Sequence, residues 1–298
     1  MYDHLTDFLR KQDVKFKLNY PMSRLTAVGI GGECDMLLLP DSIAKLISAL
    51  KFVAENNIKH KIIGGMTNVL PCDERFCGVL ISLGGLRGYE ARDGVLNVSA
   101  GENLGRVAIR IAEDGYGGLS GFVGIPGTVG GAVAGNAGAF GAEISDVLID
   151  ACVYDAEQGV HVTSCAELDF SYRHSLLKSK AGITVLSARF KLLRKSRDEI
   201  KSQIKEILAK RRSTQPHEPS LGCVFKRTEI GSAARLIDLA GLKGMRIGNA
   251  AISEKHAGFI VNLGGATAKD YKTLAAIAAE RIYDGFGIRP ELEIEFLK

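Results

Sequence analysis

The stretch from Gly115 to Ala142 constrains the fold of this chain more than any other. It contains eleven glycines and no Asp, Glu, Lys or Arg, although 24% of the 298 residues are charged. Its length and lack of charge would suit a membrane-spanning helix, but the glycines and Pro126 give it a poor helix propensity. A flexible linker is the other alternative, and linkers are Ser-rich rather than interleaved with Ile, Val, Ala and Phe. We therefore expect an ordered segment whose glycines permit close backbone approach or unusual torsion angles.

The overall composition excludes several classes of protein. The net charge is +4 and no basic run is long enough to form a nucleic-acid-binding stripe, so we expect no nucleic-acid partner. The six cysteines form no CxxC pair and no His lies at metal-ligand spacing, which argues against a metal site and against a disulfide framework. Residues 1–12 have the pattern of an amphipathic helix rather than a signal peptide. These features predict a cytoplasmic protein that is not bound to a membrane. They do not determine the oligomeric state, for which a monomer is our expectation.

The order of apolar and turn-forming segments predicts a mixed α and β fold in two domains. Ser42 is a typical N-cap, and the apolar residues that follow it recur at the three-and-four spacing of a buried helix face. We predict an N-terminal helix in residues 1–20, a first domain in 21–195 and a smaller α+β domain in 196–298. The predicted later helices cover 41–56, 104–114, 196–212, 232–240 and 267–284, and the predicted strands cover 36–39, 61–63, 79–83, 95–98, 148–154, 184–193, 258–262 and 292–297.

The run Gly64-Gly65-Met66-Thr67-Asn68 directly follows the predicted strand 61–63. Successive amide N–H groups of such a turn, together with Thr and Asn side chains, can donate hydrogen bonds to phosphate oxygens. The alternative is an ordinary strand-to-loop turn. A Rossmann dinucleotide fold is not favoured, because Gly29-x-Gly31 is followed by Cys34 instead of a third glycine and precedes a strand.

Seven segments, in the same order, are similar to those of one known family. The chain resembles the UDP-N-acetylenolpyruvoylglucosamine reductases over nearly its whole length. The strongest match is GIPGTVGGAVAGNAGAFGAEISDV at 124–147. The others are IGGECDMLLLP at 30–40, IIGGMTNVL at 62–70, FSYRHSLLK at 170–178, RRSTQPHEPSLGCVFK at 211–226, AARLIDLAGLKGMRIGNAAISEKHAGFIVN at 233–262 and GIRPELEIEF at 287–296.

The resemblance implies a fold and an activity. The fold would be α+β, with an FAD-binding module of the vanillyl-alcohol-oxidase (PCMH) type in 21–195 and a substrate-binding domain in 196–298. The activity would be the reduction of the enolpyruvyl group of UDP-N-acetylenolpyruvoylglucosamine to UDP-N-acetylmuramate, with NADPH reducing bound FAD. This oxidoreductase step belongs to peptidoglycan precursor synthesis, and thereby to cell wall biogenesis, cell shape, the cell cycle and cell division.

The resemblance also implies site residues. Main chain and small polar side chains would hold the FAD, because many N–H donors can neutralise a diphosphate without a cation. The implied FAD-binding residues are Ile63, Gly64, Gly65, Thr67, Asn68, Val69, Ile125, Pro126, Gly127, Gly130, Gly131, Asn136 and Gly138. The implied substrate-binding residues are Tyr172, Arg211, Gln215, Lys226 and Arg227.

Three residues match the catalytic positions of the family. Arg173 and the protonated carboxyl of Glu293 would stabilise the enolate formed when hydride reaches the β-carbon of the substrate. Cys223 stands where the family usually has serine as proton donor, and a thiol is a stronger acid than an alcohol. Residue type alone favours other roles: a surface ion pair for Arg173, a small buried apolar residue for Cys223 and the solvent face of an edge strand for Glu293.

Several positions depart from the family pattern. They are Leu25, Ala27, Val28, Met66, Gly135 and Arg227. Most of them flank the implied flavin site, so they bear on cofactor affinity more than on fold. They leave open an alternative function, that of a non-catalytic or altered-substrate relative that binds FAD or UDP-sugars.

Overall fold

The computed structural model describes residues 2–180 and 182–297. Its α-helices are α1 (Asp3–Lys11), α2 (Ile43–Glu55), α3 (Leu104–Glu113), α4 (Val129–Ala134), α5 (Leu176–Ser179), α6 (Arg197–Thr214), α7 (Ala233–Leu239) and α8 (Ala268–Phe286). Short 3-10 helices cover Met22–Arg24, Leu83–Gly85, Ser120–Phe122 and Ile144–Asp146.

The strands are short and numerous. They are β1 (Lys15–Pro21), β2 (Glu33–Leu39), β3 (His60–Ile63), β4 (Val69–Pro71), β5 (Phe76–Ser82), β6 (Tyr89–Arg92), β7 (Val95–Ser99), β8 (Tyr116–Gly117), β9 (Gly138–Ala139), β10 (Ala142–Glu143), β11 (Leu148–Asp155), β12 (Gly159–Ser164), β13 (Ile183–Lys191), β14 (Leu193–Arg194), β15 (Ser220–Cys223), β16 (Arg246–Ile247), β17 (Ala250–Ile252), β18 (Phe259–Asn262) and β19 (Glu295–Leu297).

Local sequence signals explain where the helices begin and end. The Ser42 hydroxyl accepts a hydrogen bond from Lys45 N at 3.3 Å and caps α2, as the sequence predicts. Asn103 caps α3 by accepting from Arg106 N at 2.9 Å, and Gly115 follows the end of that helix with φ of 78°. The glycine-rich segment contains α4, which its composition did not predict. The hydroxyl of Thr128 caps that helix by accepting from Gly131 N.

The chain forms two compact units. The first consists of residues 1–18, 36–65 and 78–209. Its largest sheet has the strand order β12-β11-β13-β7-β6 and is antiparallel throughout. Helix α4 packs on β13 at the middle of this sheet. The core of the unit joins the apolar faces of α1, α2 and α3 to this sheet, with Phe122 and Phe190 fully buried. A second sheet has the strand order β1-β2-β5-β3.

The second unit gathers residues 19–35, 66–77 and 210–298. An antiparallel sheet of order β15-β18-β17-β16 packs against α7 and α8, and its core includes Tyr271, which is fully buried. Strand β19 pairs in parallel with β4, although more than 220 residues separate Val69 from Glu295. The Asp73 carboxylate accepts hydrogen bonds from Ala268 N at 2.7 Å and Lys269 N at 2.9 Å, and so caps α8.

Most predicted elements are present, but the N-terminal helix predicted in residues 1–20 covers only Asp3–Lys11. Asp13 has a positive φ of 51°, which a right-handed helix cannot continue, and residues 15–21 form β1 instead. The predicted strand 292–297 is shorter: β19 starts at Glu295, because residues 291–294 instead hydrogen-bond to the segment that follows β15. The units are discontinuous along the chain, whereas the predicted domains are continuous segments, and the domain bounds stay a prediction. Across residues 2–180 and 182–297, no helix has the length and apolar character needed to cross a bilayer.

Candidate functional site

Two glycine-rich segments that are distant in sequence lie against each other in the first unit. A Cβ added to Gly64 would lie 2.5 Å from Thr128 Oγ1, and one added to Gly65 would lie 3.1 Å from Gly127 Cα. The main chain that leaves β3 therefore packs directly on the main chain that enters α4. We call this contact between Gly64, Gly65 and Gly127 the glycine cradle. Steric crowding explains why these two positions are occupied by glycine, because a side chain at Gly64 or Gly65 would not fit.

Packing also explains the glycine at position 130. Its N–H donates to Ala100 O at 2.9 Å, and an added Cβ would lie 3.0 Å from Ala100 Cβ. Val129 N donates to Glu102 O at 2.8 Å in the same way. These two N–H groups hold α4 on the loop after β7 and are engaged within the protein. A cofactor contact at Gly130 stays a prediction.

The segment that continues from Gly65 belongs to the second unit. Met66, which stands where the family usually has glycine, has a positive φ of 44° and is buried. Its carbonyl accepts from Thr26 Oγ1 at 3.1 Å and from Ala27 N at 3.3 Å. The same hydroxyl contacts Val69 O at 3.2 Å. The substitution at Met66 therefore keeps a backbone conformation that glycine adopts at least cost.

The predicted residues Asn68, Cys223 and Glu293 come together within the second unit. Asn68 Nδ2 donates to Glu293 O at 2.9 Å, and Glu293 N donates to Val224 O at 2.8 Å. Glu295 N donates to Asn68 O at 2.9 Å, which begins β19. The backbone of Glu293 is thus held between Asn68 and the residue that follows Cys223, and the Glu293 side chain is half-buried.

Cys223 lies at the end of β15, where it pairs with Phe259 of β18. The register shifts between Ser220 and Cys223, and Gly222 has a φ of 78°. Such a bulge bends a strand and redirects the side chain that follows. The Cys223 side chain is half-buried rather than part of the closed core, unlike the small buried apolar residue that its type alone would suggest.

Arg173 belongs to the first unit and contacts two of the predicted FAD-binding residues. Its Nη2 donates to Gly138 O at 2.7 Å, and its Nη1 reaches Asn136 O at 3.5 Å. The guanidinium also lies 5.1 Å from the ring centroid of Tyr172. Arg173 has a positive φ of 57°, an uncommon conformation for a long side chain and one that recurs at functional sites.

The side chain of Asn136 is engaged inside the protein. It is 1% exposed and donates through Nδ2 to Glu143 Oε2 and to Ser171 O, both at 3.0 Å. Its Oδ1 accepts from Ser145 N at 3.1 Å. Any contact of Asn136 with a cofactor would therefore involve its main chain. Reasoning from the sequence missed Glu143, although it lies within the strongest matching segment.

The predicted substrate-binding residues differ in their surroundings. Arg211 is buried in α6, and this burial lowers the pKa of its guanidinium, while Gln215 N donates to Arg211 O at 2.8 Å. Lys226 Nζ lies 2.6 Å from the exposed carboxylate of Glu291. Arg227 is exposed, and Tyr172 is 39% exposed. Glu291 was not predicted as a partner of Lys226, and a phosphate at Lys226 would compete with it.

Other departures from the family pattern fit their local surroundings. Val28 is fully buried in the second core, and its carbonyl accepts from Asn262 Nδ2 at 2.8 Å. Gly135 ends α4 with an ordinary negative φ of −95°, so glycine is not required there. Val28 therefore suits a buried apolar position, and Gly135 lies at a helix end that does not require glycine.

Two family models match successive parts of the chain. The family model described as "FAD binding domain" matches residues 34–164. The model described as "UDP-N-acetylenolpyruvoylglucosamine reductase, C-terminal domain" matches residues 215–297. The first match contains the cradle of Gly64, Gly65 and Gly127, and the second contains Cys223 and Glu293.

Curated relatives match over nearly the full chain. A UDP-N-acetylenolpyruvoylglucosamine reductase from Caldicellulosiruptor saccharolyticus is 39% identical over 97% of this chain and 94% of its own length. One from Agathobacter rectalis is 42% identical over 93% of this chain and 92% of its own length. The crystal structure of UDP-N-acetylenolpyruvylglucosamine reductase from Thermus caldophilus superimposes with a TM-score of 0.81 at 34% identity, covering 96% of this chain and 99% of that one.

Proposed function

Since this chain belongs to the UDP-N-acetylenolpyruvoylglucosamine reductase family, we propose that it reduces the enolpyruvyl group of UDP-N-acetylenolpyruvoylglucosamine to UDP-N-acetylmuramate with NADPH as reductant. The chain is an FAD-dependent oxidoreductase with the α+β fold expected from its sequence, an FAD-binding module followed by a smaller domain. The observation that carries the proposal is 39–42% identity to reductases over more than nine-tenths of the chain.

The glycine cradle fits a flavin dinucleotide. An added Cβ at Gly64 would collide with Thr128 Oγ1, and one at Gly65 would press on Gly127 Cα, so peptide groups rather than side chains border this place. Gly64, Gly65, Thr67 and Asn68 would hold the diphosphate, with residues 125–131 and 136–138 along the flavin. When bound, FAD would take hydride from NADPH and supply it to the β-carbon of the substrate double bond.

Arg173 and Glu293 would stabilise the charge that hydride addition creates. Addition at the β-carbon moves an electron pair into the adjacent carbon and carboxylate of the substrate, which gives an enolate. The Arg173 guanidinium, fixed by Gly138 O, would donate to the carboxylate oxygens. The Glu293 carboxyl, in its protonated form, would donate a second hydrogen bond from a backbone fixed by Asn68 and Val224.

Cys223 would complete the reaction by protonating the α-carbon. The S–H bond breaks, a C–H bond forms at the α-carbon and the enolate electrons form that bond, so the thiolate remains and takes a proton from solvent. The bulge at Gly222 orients this side chain, and its half-buried position gives it access to a ligand while limiting its solvation.

The substrate diphosphate would be bound by cationic and polar side chains. We assign this role to Tyr172, Arg211, Gln215, Lys226 and Arg227, of which Lys226 would exchange Glu291 for phosphate. We further propose that the enzyme acts as a monomer in the cytoplasm, in peptidoglycan precursor synthesis and thus in support of cell division. A non-catalytic or altered-substrate role is not favoured, because the relatives that match over the full chain are reductases.

One experiment tests the proposed reaction directly. The purified protein, reconstituted with FAD, is mixed with NADPH and UDP-N-acetylenolpyruvoylglucosamine, and NADPH oxidation is followed by absorbance. We expect substrate-dependent oxidation and a product two hydrogen atoms heavier, with one deuterium at the α-carbon when the solvent is D2O. If NADPH is consumed at the same rate with and without the UDP-sugar, the proposal is refuted.

A further inference from the structure

The amide of Asn136 joins three segments of the first unit. Its two N–H groups reach Glu143 Oε2 on β10 and Ser171 O, both at 3.0 Å, and its Oδ1 accepts from Ser145 N at 3.1 Å. An amide has two donor hydrogens, and the structure uses both. Asn136 is itself 1% exposed, so little water competes for its amide, and the fold satisfies that amide through these three bonds.

One of these bonds supports the turn that carries Arg173. Ser171 N donates to His174 O and His174 N donates to Ser171 O, both at 3.1 Å, so residues 171–174 form a tight turn. Ser171 O therefore accepts two hydrogen bonds, one from His174 N within the turn and one from Asn136 Nδ2 of the glycine-rich segment. The Asn136 amide thus fixes the base of the turn from which the Arg173 side chain extends.

The guanidinium of Arg173 contacts the same glycine-rich segment that contains Asn136. Arg173 Nη2 donates to Gly138 O at 2.7 Å. Gly138 pairs with Glu143 in the β9–β10 hairpin, and an added Cβ at Gly138 would lie 2.4 Å from Ala142 O. The Asn136 amide therefore donates to both structures: to Glu143 in the β9–β10 hairpin, which contains the carbonyl that Arg173 contacts, and to Ser171 in the turn that contains Arg173 itself.

Backbone conformation in this region requires such support. Asn136, Phe140 and Arg173 have positive φ values of 42°, 53° and 57°. Left-handed conformations cost free energy for residues with a Cβ, and they persist where surrounding contacts determine them. Asn tolerates this region better than most residues, and the side-chain bonds of Asn136 tie all three segments together.

We propose that Asn136 is a positioning residue for Arg173, whose buried amide sets the distance between the 171–174 turn and the β9–β10 hairpin and so holds the guanidinium in place. This inference rests on the proposed function only for the role of Arg173 in turnover. The positioning itself is a property of the folded chain. It does not require the Asn136 side chain to contact the cofactor.

The sharpest variant is Asn136→Asp, which keeps the size of the side chain and replaces both N–H donors with an oxygen. That oxygen would face the Glu143 carboxylate and Ser171 O, so both bonds become repulsive. Asn136→Ala removes the same bonds without adding charge and serves as the second variant if Asn136→Asp fails to fold. Asn57→Asp is the matched control, because Asn57 also has a positive φ, of 50°, and is exposed.

Hydrogen–deuterium exchange of the peptide that spans residues 170–176 reads the positioning without turnover. We expect its amides to exchange at least about tenfold faster in Asn136→Asp and Asn136→Ala than in the parent protein or in Asn57→Asp. Unchanged exchange in both Asn136 variants would overturn the inference. Because this readout needs no substrate, it remains decisive even if the parent protein fails to reduce the UDP-sugar.

A double-mutant cycle tests whether the effect reaches catalysis through Arg173. We expect Asn136→Ala to slow turnover about 10- to 100-fold in the parent, since misplacement of a catalytic group by about 1 Å has effects of this size. In an Arg173→Lys background, the same substitution should cost less than about threefold, because the guanidinium it positions is already absent. Equal losses in the two backgrounds would contradict a positioning role and indicate a general structural one.

Discussion

The main-chain N–H of Glu293 donates to the carbonyl of Val224 at 2.8 Å. This bond fixes the backbone of Glu293, a predicted acid, next to Val224, which directly follows the predicted proton donor Cys223. Asn68 holds the other side of Glu293 by donating to its carbonyl at 2.9 Å. Three segments of the chain therefore meet at one residue. The contacts are between backbones and an amide, so they fix the position of the Glu293 main chain.

Replacing Asn68 with alanine should weaken this junction. We expect Asn68→Ala to lower the free energy of unfolding by about 1 kcal/mol, since the Glu293 carbonyl loses a hydrogen-bond donor. Urea denaturation of the flavin-free protein measures this effect apart from any cofactor contact of Asn68. Asn97→Ala, at an exposed position without a positive φ, is the control. Equal unfolding midpoints for Asn68→Ala and the parent would show that this bond contributes nothing.

Changes at Cys223 should separate the two halves of the reaction. We expect Cys223→Ala to slow reoxidation of the reduced flavin by substrate about 10²- to 10⁴-fold, which is the usual contribution of a positioned general acid, while NADPH still reduces the flavin. Cys223→Ser should retain more activity than Cys223→Ala, because a hydroxyl can still donate a proton. Stopped-flow absorbance follows each half-reaction, and Cys77→Ala, with an exposed thiol, is the control. Equal damage to both half-reactions in Cys223→Ala would exclude a specific role in proton donation.

The glycine cradle should not tolerate a methyl group at Gly64. A Cβ there would lie 2.5 Å from Thr128 Oγ1, so we expect Gly64→Ala to destabilise the protein by about 1–3 kcal/mol and to reduce flavin retention. Gly135→Ala is the control, because its added Cβ would lie 3.4 Å from Gly131 O and its φ is negative. Thermal melts and the flavin absorbance after gel filtration measure both effects. If Gly64→Ala melts and retains flavin like Gly135→Ala, the cradle is looser than its distances indicate.

His256 should make the protein less stable in mild acid. Burial lowers the pKa of its imidazole, and Nδ1 accepts a hydrogen bond from Gly258 N at 3.2 Å, which a protonated ring nitrogen cannot do. The unfolded chain therefore binds the proton more readily. The free energy of unfolding should fall as the pH drops below the ordinary range of histidine towards the lowered pKa in the folded state.

The substitution His256→Asn keeps an acceptor for Gly258 N but does not titrate. We expect its melting temperature to fall less than that of the parent between pH 7 and pH 5, whereas His217→Asn, at an exposed position, should follow the parent. Parallel melting curves for His256→Asn and the parent across this range would mean that His256 contributes nothing to the acid sensitivity.

Elements with strong local signals were predictable from the sequence. Ser42 with its apolar spacing predicted α2, and Leu104 to Gly115 predicted α3 and its end. Helix α4 was missed because glycines lower helix propensity, whereas packing on β13 and the Thr128 cap stabilise it in the fold. The contact between Gly65 and Gly127 could not be predicted from the sequence, since sequence spacing carries no information about which loops meet.

The site residues show the same limit. Their identities came from residue types and a family resemblance, but the bonds that orient them did not. Asn136 was expected to bind cofactor, and nothing in its neighbours indicated that its amide would join Glu143 to Ser171. The ion pair of Lys226 with Glu291 likewise depends on how residues 291–294 turn onto the segment after β15.

The parallel pairing of β4 with β19 has a consequence for how the protein is made. Residues 69–71 emerge from the ribosome early, but their strand partner, residues 295–297, is synthesised more than 220 residues later. The amides of Ala268 and Lys269, which donate to the Asp73 carboxylate, are likewise synthesised long after Asp73. The second unit therefore cannot close until translation has nearly finished, and an expression fragment that starts at residue 210 would lack β4 and the Asp73 cap.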